Sequence, residues 1–200
     1  MNVSEAIETR RSIKFFDPNH RITDNEIQQL LNAAILAPSA FNIQHWRFVH
    51  VTDPALRREL RAIAYNQPQV TDASLLLVLC MDLMARDKSP ERYWQTASPE
   101  RQAQVAQTIR QFYQENSSLQ RDEAMRSVAM AAMTLTLKAR DMGYDSCCMD
   151  GFDYDAAAQR IRLPDDHAIC MILAIGKQSS NPFPKTGRLP LEDVVFTNTF

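Results

Sequence analysis

Glycine is scarce in this chain. Only four occur in 200 residues, Gly143, Gly151, Gly176 and Gly187. No two stand close enough for a G-x-G-x-x-G turn or a P-loop, so neither backbone-built phosphate cradle is available. A bound phosphate would have to be held mainly by side chains. Cysteine is also sparse: Cys80, Cys147, Cys148 and Cys170 form no C-x-x-C pair, and the adjacent Cys147 and Cys148 are badly spaced for tetrahedral zinc. They read as buried reduced thiols. The histidines, His20, His45, His50 and His167, are scattered, and no metal-ligand set, G-x-S-x-G or H-E-x-x-H is present. No apolar run reaches membrane length, the longest, residues 168–176, being strand-sized. A formal net charge of −2 lacks the broad basic face of a nucleic-acid binder. The first residues lack the basic and apolar regions of a signal peptide, so a cytoplasmic location is expected.

What is present is ordinary for a soluble globular chain, 45% hydrophobic and 23% charged, and a single domain over residues 1–200 is expected. Asn2 with Glu5 and Thr23 with Glu26 are helix-start patterns. Asp53-Pro54 and Ser98-Pro99-Glu100 open two more helices, and residues 154–161 form a short one. Residues 122–142 predict the strongest helix, apolar over most of its circumference, a core or dimer helix ended by Gly143. Strands are expected near residues 47–52, 75–81, 146–151 and 168–176, the second and fourth buried on both faces. Residues 84–121 turn polar, a helical excursion that is either a lid or a solvated connector, with Val105, Ile109 and Phe112 as its apolar face. The tail, residues 177–200, ends in apolar Val194-Val195-Phe196 with nothing nearby to pack on. A strand added to a partner's sheet would account for it. The class is mixed α/β.

With no catalytic motif, a cofactor would carry any chemistry. Three features suggest which. Arg10-Arg11-Ser12 sits between an apolar helix pattern and two aromatics. It reads either as solvated cations at a helix end or as an anion site, since arginine forks and a serine hydroxyl can hold a phosphate. Two loops, residues 39–44 and 66–69, supply Asn42, Gln44, Asn66, Gln67 and Gln69. A carboxamide both donates and accepts, matching the alternating edge of a flavin ring. Pro184-Lys185-Thr186-Gly187-Arg188 adds a second basic cluster. Together they describe an FMN site.

The chain resembles the nitroreductase family of FMN-dependent NAD(P)H oxidoreductases. The resemblance rests on Arg10-Arg11-Ser12 with Phe15, on Pro38-Ser39-Ala40-Phe41-Asn42-Ile43-Gln44 with Trp46 and Phe48, and on Asn66 before Asp72-Ala73-Ser74. It continues through Gly143 to Asp150-Gly151-Phe152, then Ile175-Gly176-Lys177 and the Lys185/Arg188 pair. It implies an α+β fold with a mixed sheet flanked by helices, and a homodimer whose C-terminal tails are swapped. FMN would lie at the interface, held by Arg10, Arg11 and Ser12, with Asn66 and Gln69 near the ring. Lys185 and Arg188 would take the phosphate. Pro38, Ser39, Ala40, Asn42 and Gln44 would belong to the cofactor site, with Ser39, Ala40 and Asn42 arriving from the partner subunit. The segment Cys148-Met149-Asp150-Gly151 would run along the ring, and Phe41 would be an aromatic near the acceptor. NADH or NADPH would donate a hydride, and a nitroaromatic or quinone would take it in a second step. The alternatives are reduced flavin acting on an activated alkene, in dehalogenation or in flavin breakdown, and a flavin-binding protein without turnover. No metal, nucleic acid or membrane partner is implied.

Overall fold

Leu75–Asp82 is a run of eight residues with every side chain buried, and the molecule is layered around it. The computed structural model describes all 200 residues, the side chains of residues 115 and 117 excepted. Four strands, β1 (Trp46–His50), β2 (Leu75–Asp82), β3 (Asp145–Met149) and β4 (His167–Gly176), form one sheet in the order β1-β2-β4-β3. All three strand pairs are antiparallel, and the parallel component is a single bridge between Ser12 and Ser146.

Alternation along β2 divides the interior. Leu75, Leu77, Leu79 and Met81 face one core with α2 (Asp24–Ala34) and α6 (Ser117–Asp141). Leu76, Val78 and Cys80 face the other, with α3 (Pro54–Ile63) and α7 (Tyr154–Arg160). In β4 the register slips between Leu79 and Cys80 of β2, leaving Cys170 as an extra residue. Successive residues Cys170 and Met171 therefore both side with the first core, while Ile169 and Ile172 on either side of them belong to the second.

The helix boundaries follow local chemistry. Asn2 caps α1 (Val3–Thr9) by accepting from the Glu5 N–H at 2.9 Å, and Thr23 with Glu26 closes a reciprocal capping box on α2. Gly143, at φ +76°, stops α6. Its N–H reaches Arg140 O at 3.0 Å and the Tyr144 N–H reaches Ala139 O at 2.8 Å, the paired bonds of a left-handed C-terminal cap. Gly176 is needed for close approach, because an added Cβ would lie 3.1 Å from both Phe16 Cδ1 and Ser74 N.

Four expectations change. The long helix starts at Ser117 rather than at 122, because its first polar turns carry no apolar signal. It is also not buried all round: Ala129, Met130 and Met133 are exposed along one side. Gln69, expected in a loop, opens α4 (Gln69–Asp72) and is fully buried. On α5 (Pro99–Glu115) the inward residue after Val105 and Ile109 is Tyr113, not Phe112, since i, i+4 and i+8 share the face. Phe112 leans on Phe41 instead, with ring centroids 5.6 Å apart. Among the described residues no helix is long and apolar enough to cross a membrane.

Candidate functional site

After α1 the chain is extended. Ile13 N–H donates to Ser146 O at 3.0 Å, Phe16 bridges Gln178, and Ile13 is buried. Period two then places Ser12 and Lys14 on the face opposite Ile13. The tail returns to this stretch. An Arg11 guanidinium N–H donates to the Phe183 carbonyl, and Lys185 Nζ donates to Glu8 O at 3.2 Å. Between the two segments lies a cavity of about 470 Å³ lined by Arg10, Arg11, Ser12, Lys185 and Arg188. Four cations face it against one carboxylate, Glu8. That balance suits a doubly charged anion better than a neutral ligand. The positions expected to share a phosphate, at opposite ends of the chain, are thus brought together.

Beside Ser12 runs a second polar group. Lys14 Nζ donates to Gln67 Oε1 at 3.3 Å, and Gln67 Nε2 donates to Gly151 O at 2.9 Å. Gln69 Nε2 also donates to Gln67 Oε1, at 3.0 Å, and lies 3.9 Å from Cys147 Sγ. Gln69 Oε1 is buried without a partner. Lys14, the 66–69 loop and the end of β3 therefore meet in one network of donors and acceptors. Asn66 is exposed at φ 59° beside Tyr65 at φ 53°, a left-handed pair that asparagine tolerates better than tyrosine. On β3 the pleat exposes Cys148 and buries Met149, and Asp150 and Gly151 follow on the surface.

Lys14 was missed as a site residue in the sequence; the usable signal was its even spacing from Arg10 and Ser12 in an extended stretch. Gln67 was visible there only as one of the loop carboxamides.

The loop 38–44 goes elsewhere. Phe41, Asn42 and Gln44 all have positive φ, at 51°, 57° and 55°. Asn42 Nδ2 donates to Tyr93 O at 2.7 Å, Trp94 Nε1 donates to Phe41 O at 3.0 Å, and Ser39 Oγ accepts from the Gln44 N–H at 3.0 Å. Three residues out of four held in the left-handed region are costly and are kept only by such anchors. Among the described residues, Pro38, Ser39, Ala40, Asn42 and Gln44 do not line the cationic cavity of their own chain.

The thiols are poor nucleophiles. Burial pushes Cys80 up to about 12 and Cys170 up to about 11, and raises Cys147 as well. One cluster was invisible in the sequence: ligand atoms of Asp82, Asp166 and His167 lie within 4.8 Å of one another. Lys88 Nζ stands 2.9 Å from Asp82 and 2.7 Å from Asp166, and Arg47 Nη2 stands 2.8 Å from Asp82. Two cations already neutralise the two carboxylates, so the group is an ion-pair cluster rather than a metal centre.

Comparison with known proteins gives a consistent result. Residues 7–177 match the Nitroreductase family. The chain is 47% identical to Protein DrgA of Synechocystis over 96% of this chain and 93% of that one. It is 31% identical to a protein of Thermus thermophilus named NADH dehydrogenase, covering 98% and 95% of the two chains. Among solved structures, a protein of nitroreductase type from Exiguobacterium sibiricum, crystallised in complex with FMN, superposes with a TM-score of 0.90 at 31% identity, over 99% and 98% of the chains.

Proposed function

The chain belongs to the nitroreductase family, and from that premise we propose an FMN-dependent oxidoreductase that passes a hydride from NADH or NADPH to a small acceptor such as a nitroaromatic or quinone. The observation that carries the reading is the single cavity where Arg10, Arg11 and Ser12 meet Lys185 and Arg188. When bound, the flavin supplies the hydride acceptance and donation that no side chain of this protein offers. The residues do the rest. Arg10, Arg11, Ser12, Lys185 and Arg188 hold the phosphate. Lys14 and Gln67, with Asn66 beside them, address the ring edge, and Gln69, buried beneath them, positions Gln67 by donating to its Oε1 at 3.0 Å. The Cys148–Gly151 segment flanks the ring. Donor and acceptor use one face in turn, which calls for positioning rather than an acid–base residue.

The working unit is a homodimer. Within one chain the tail is left bare, Leu191 being 74% and Phe196 52% exposed, and such apolar segments normally have a partner. The tail crosses to the second subunit, and Pro38, Ser39, Ala40, Asn42 and Gln44 reach the cofactor across the interface. Residues 84–121 act as a lid with Phe41 at its edge, within one domain spanning residues 1–200. The location is the cytoplasm, where reduced nicotinamide cofactors are made.

Purified protein should be yellow and should bleach with NADH or NADPH in the absence of oxygen. A colourless protein that takes up no added FMN overturns the reading. Arg188→Ala should weaken FMN binding by about 1.5–3 kcal/mol, the contribution of a charge-assisted hydrogen bond, measured by fluorescence titration.

A further inference from the structure

A second basic cavity, of about 640 Å³, is lined by α3, the loop before α2 and residues 71–74, and shares no lining residue with the first. Arg57, Arg58 and Arg61 reach it from α3, and Arg21 from the loop before α2. Against these four guanidinium groups stand two carboxylates, Asp24 and Asp72. Asp72 is already engaged, accepting from Thr71 Oγ1 at 2.7 Å and lying 3.9 Å from Arg61 Nη1. His50, also in the wall, adds no charge at neutral pH, since burial and then Arg57 lower its pKa.

The arginines are not equivalent. Arg57 is fixed by three backbone carbonyls, Val51 O at 2.9 Å, Ala73 O at 2.5 Å and Ser74 O at 3.3 Å. Arg61 is tied to Asn66 O at 3.3 Å and Thr71 Oγ1 at 2.8 Å. Arg21 uses one nitrogen, Nη1, on Pro18 O and His20 O. Arg58 is exposed and makes no hydrogen bond or ion pair among the described residues. The Arg21 charge disfavours that of Arg57, second only to burial in lowering its pKa. Holding like charges together in a cleft is unfavourable unless an anion offsets them. The rest of the wall mixes apolar Pro18, Ile27, Pro54 and Ala73 with the hydroxyl residues Thr52, Thr71 and Ser74, and the volume admits a body as large as a nucleoside.

We propose that this cavity binds the phosphate of a small molecule, with Arg21 and Arg58 as the groups that close on it and Arg57 as a fixed donor behind them. The ligand chemistry is a phosphate dianion, met as free phosphate or as the phosphate of a nucleotide. The site does not depend on the flavin assignment.

Calorimetric titration of FMN-saturated protein with inorganic phosphate, AMP and adenosine tests this. Phosphate and AMP should bind, and adenosine should not. Arg21→Gln with Arg58→Gln should weaken binding at least ~10-fold, as expected for losing charge-assisted bonds, while the thermal midpoint and FMN retention stay at wild-type values. Arg57 is left intact, because its three carbonyl bonds make it structural. Arg188→Ala, in the first cavity, should leave phosphate binding unchanged. AMP tighter than phosphate identifies a nucleotide; equal affinities identify free phosphate. The proposal is overturned if no phosphate binds at tens of millimolar, if the double variant binds as well as wild type, or if Arg188→Ala alone removes binding.

Discussion

β2 and the C-terminal tail contain similar residues and have opposite fates. Leu75, Leu76, Leu77, Val78 and Leu79 are fully buried, whereas Leu189, Leu191, Val194, Val195 and Phe196 are all exposed. Apolar character therefore does not decide burial within one chain. β2 has a strand on each side and helices over both faces; the tail has neither. Stability in the first comes from the fold of one chain; in the second, on the proposed homodimer, it comes from another.

The contrast can be tested from its strongest side. Leu77→Ala should destabilise the protein by about 2–5 kcal/mol through the cavity it leaves, seen as a lower urea midpoint at every protein concentration. An unchanged midpoint would mean that β2 is not the core it looks to be. Phe196→Ala should cost about 1.5–3 kcal/mol of association and little else, so its effect should appear as a dilution-dependent dimer by sedimentation. A loss independent of concentration would place Phe196 in its own chain's core and break the comparison.

His45, beside β1, gives a sharper probe of the sheet side. Burial holds its pKa down at about 4, against 6.5 when free, and its Nδ1 lies 3.3 Å from Ser127 Oγ. Between these values the unfolded chain binds a proton that the native state refuses. Stability should therefore be full above about pH 6.5 and fall as the pH drops towards 4. His45→Gln should flatten that part of the profile, and a slope unaltered in the variant would assign it to other groups. Smallest, Ser98→Ala should cost about 1 kcal/mol by removing the α5 cap, in which Ser98 Oγ accepts from the Arg101 N–H at 3.3 Å. A larger loss would show that the excursion carries the main core with it.

Much of this was readable from residues a few positions apart. The caps at Asn2, Thr23, Asp53 and Ser98, the stop at Gly143 and the four strands all depend on neighbours within one turn or one pleat. The basic clusters at 10–11 and 185–188 were legible because their members are contiguous. The arginines of α3 were not, because Arg57, Arg58 and Arg61 on an amphipathic helix look like a solvated face until Arg21 is set opposite them.

By itself the sequence determined where the capped helices begin, that two strands are buried on both faces, and that any anion would be gripped by side chains, glycine being too rare to build a backbone cradle. The tertiary structure alone decided that Lys14 meets Gln67 across 53 positions, that Arg11 meets Phe183 across 172, and that Gln69 is sealed inside while the 38–44 loop turns away. The reason is the range of the forces involved. Capping, pleating and helical periodicity act over a few residues, whereas those pairings depend on the path of the whole chain and the burial that path makes possible.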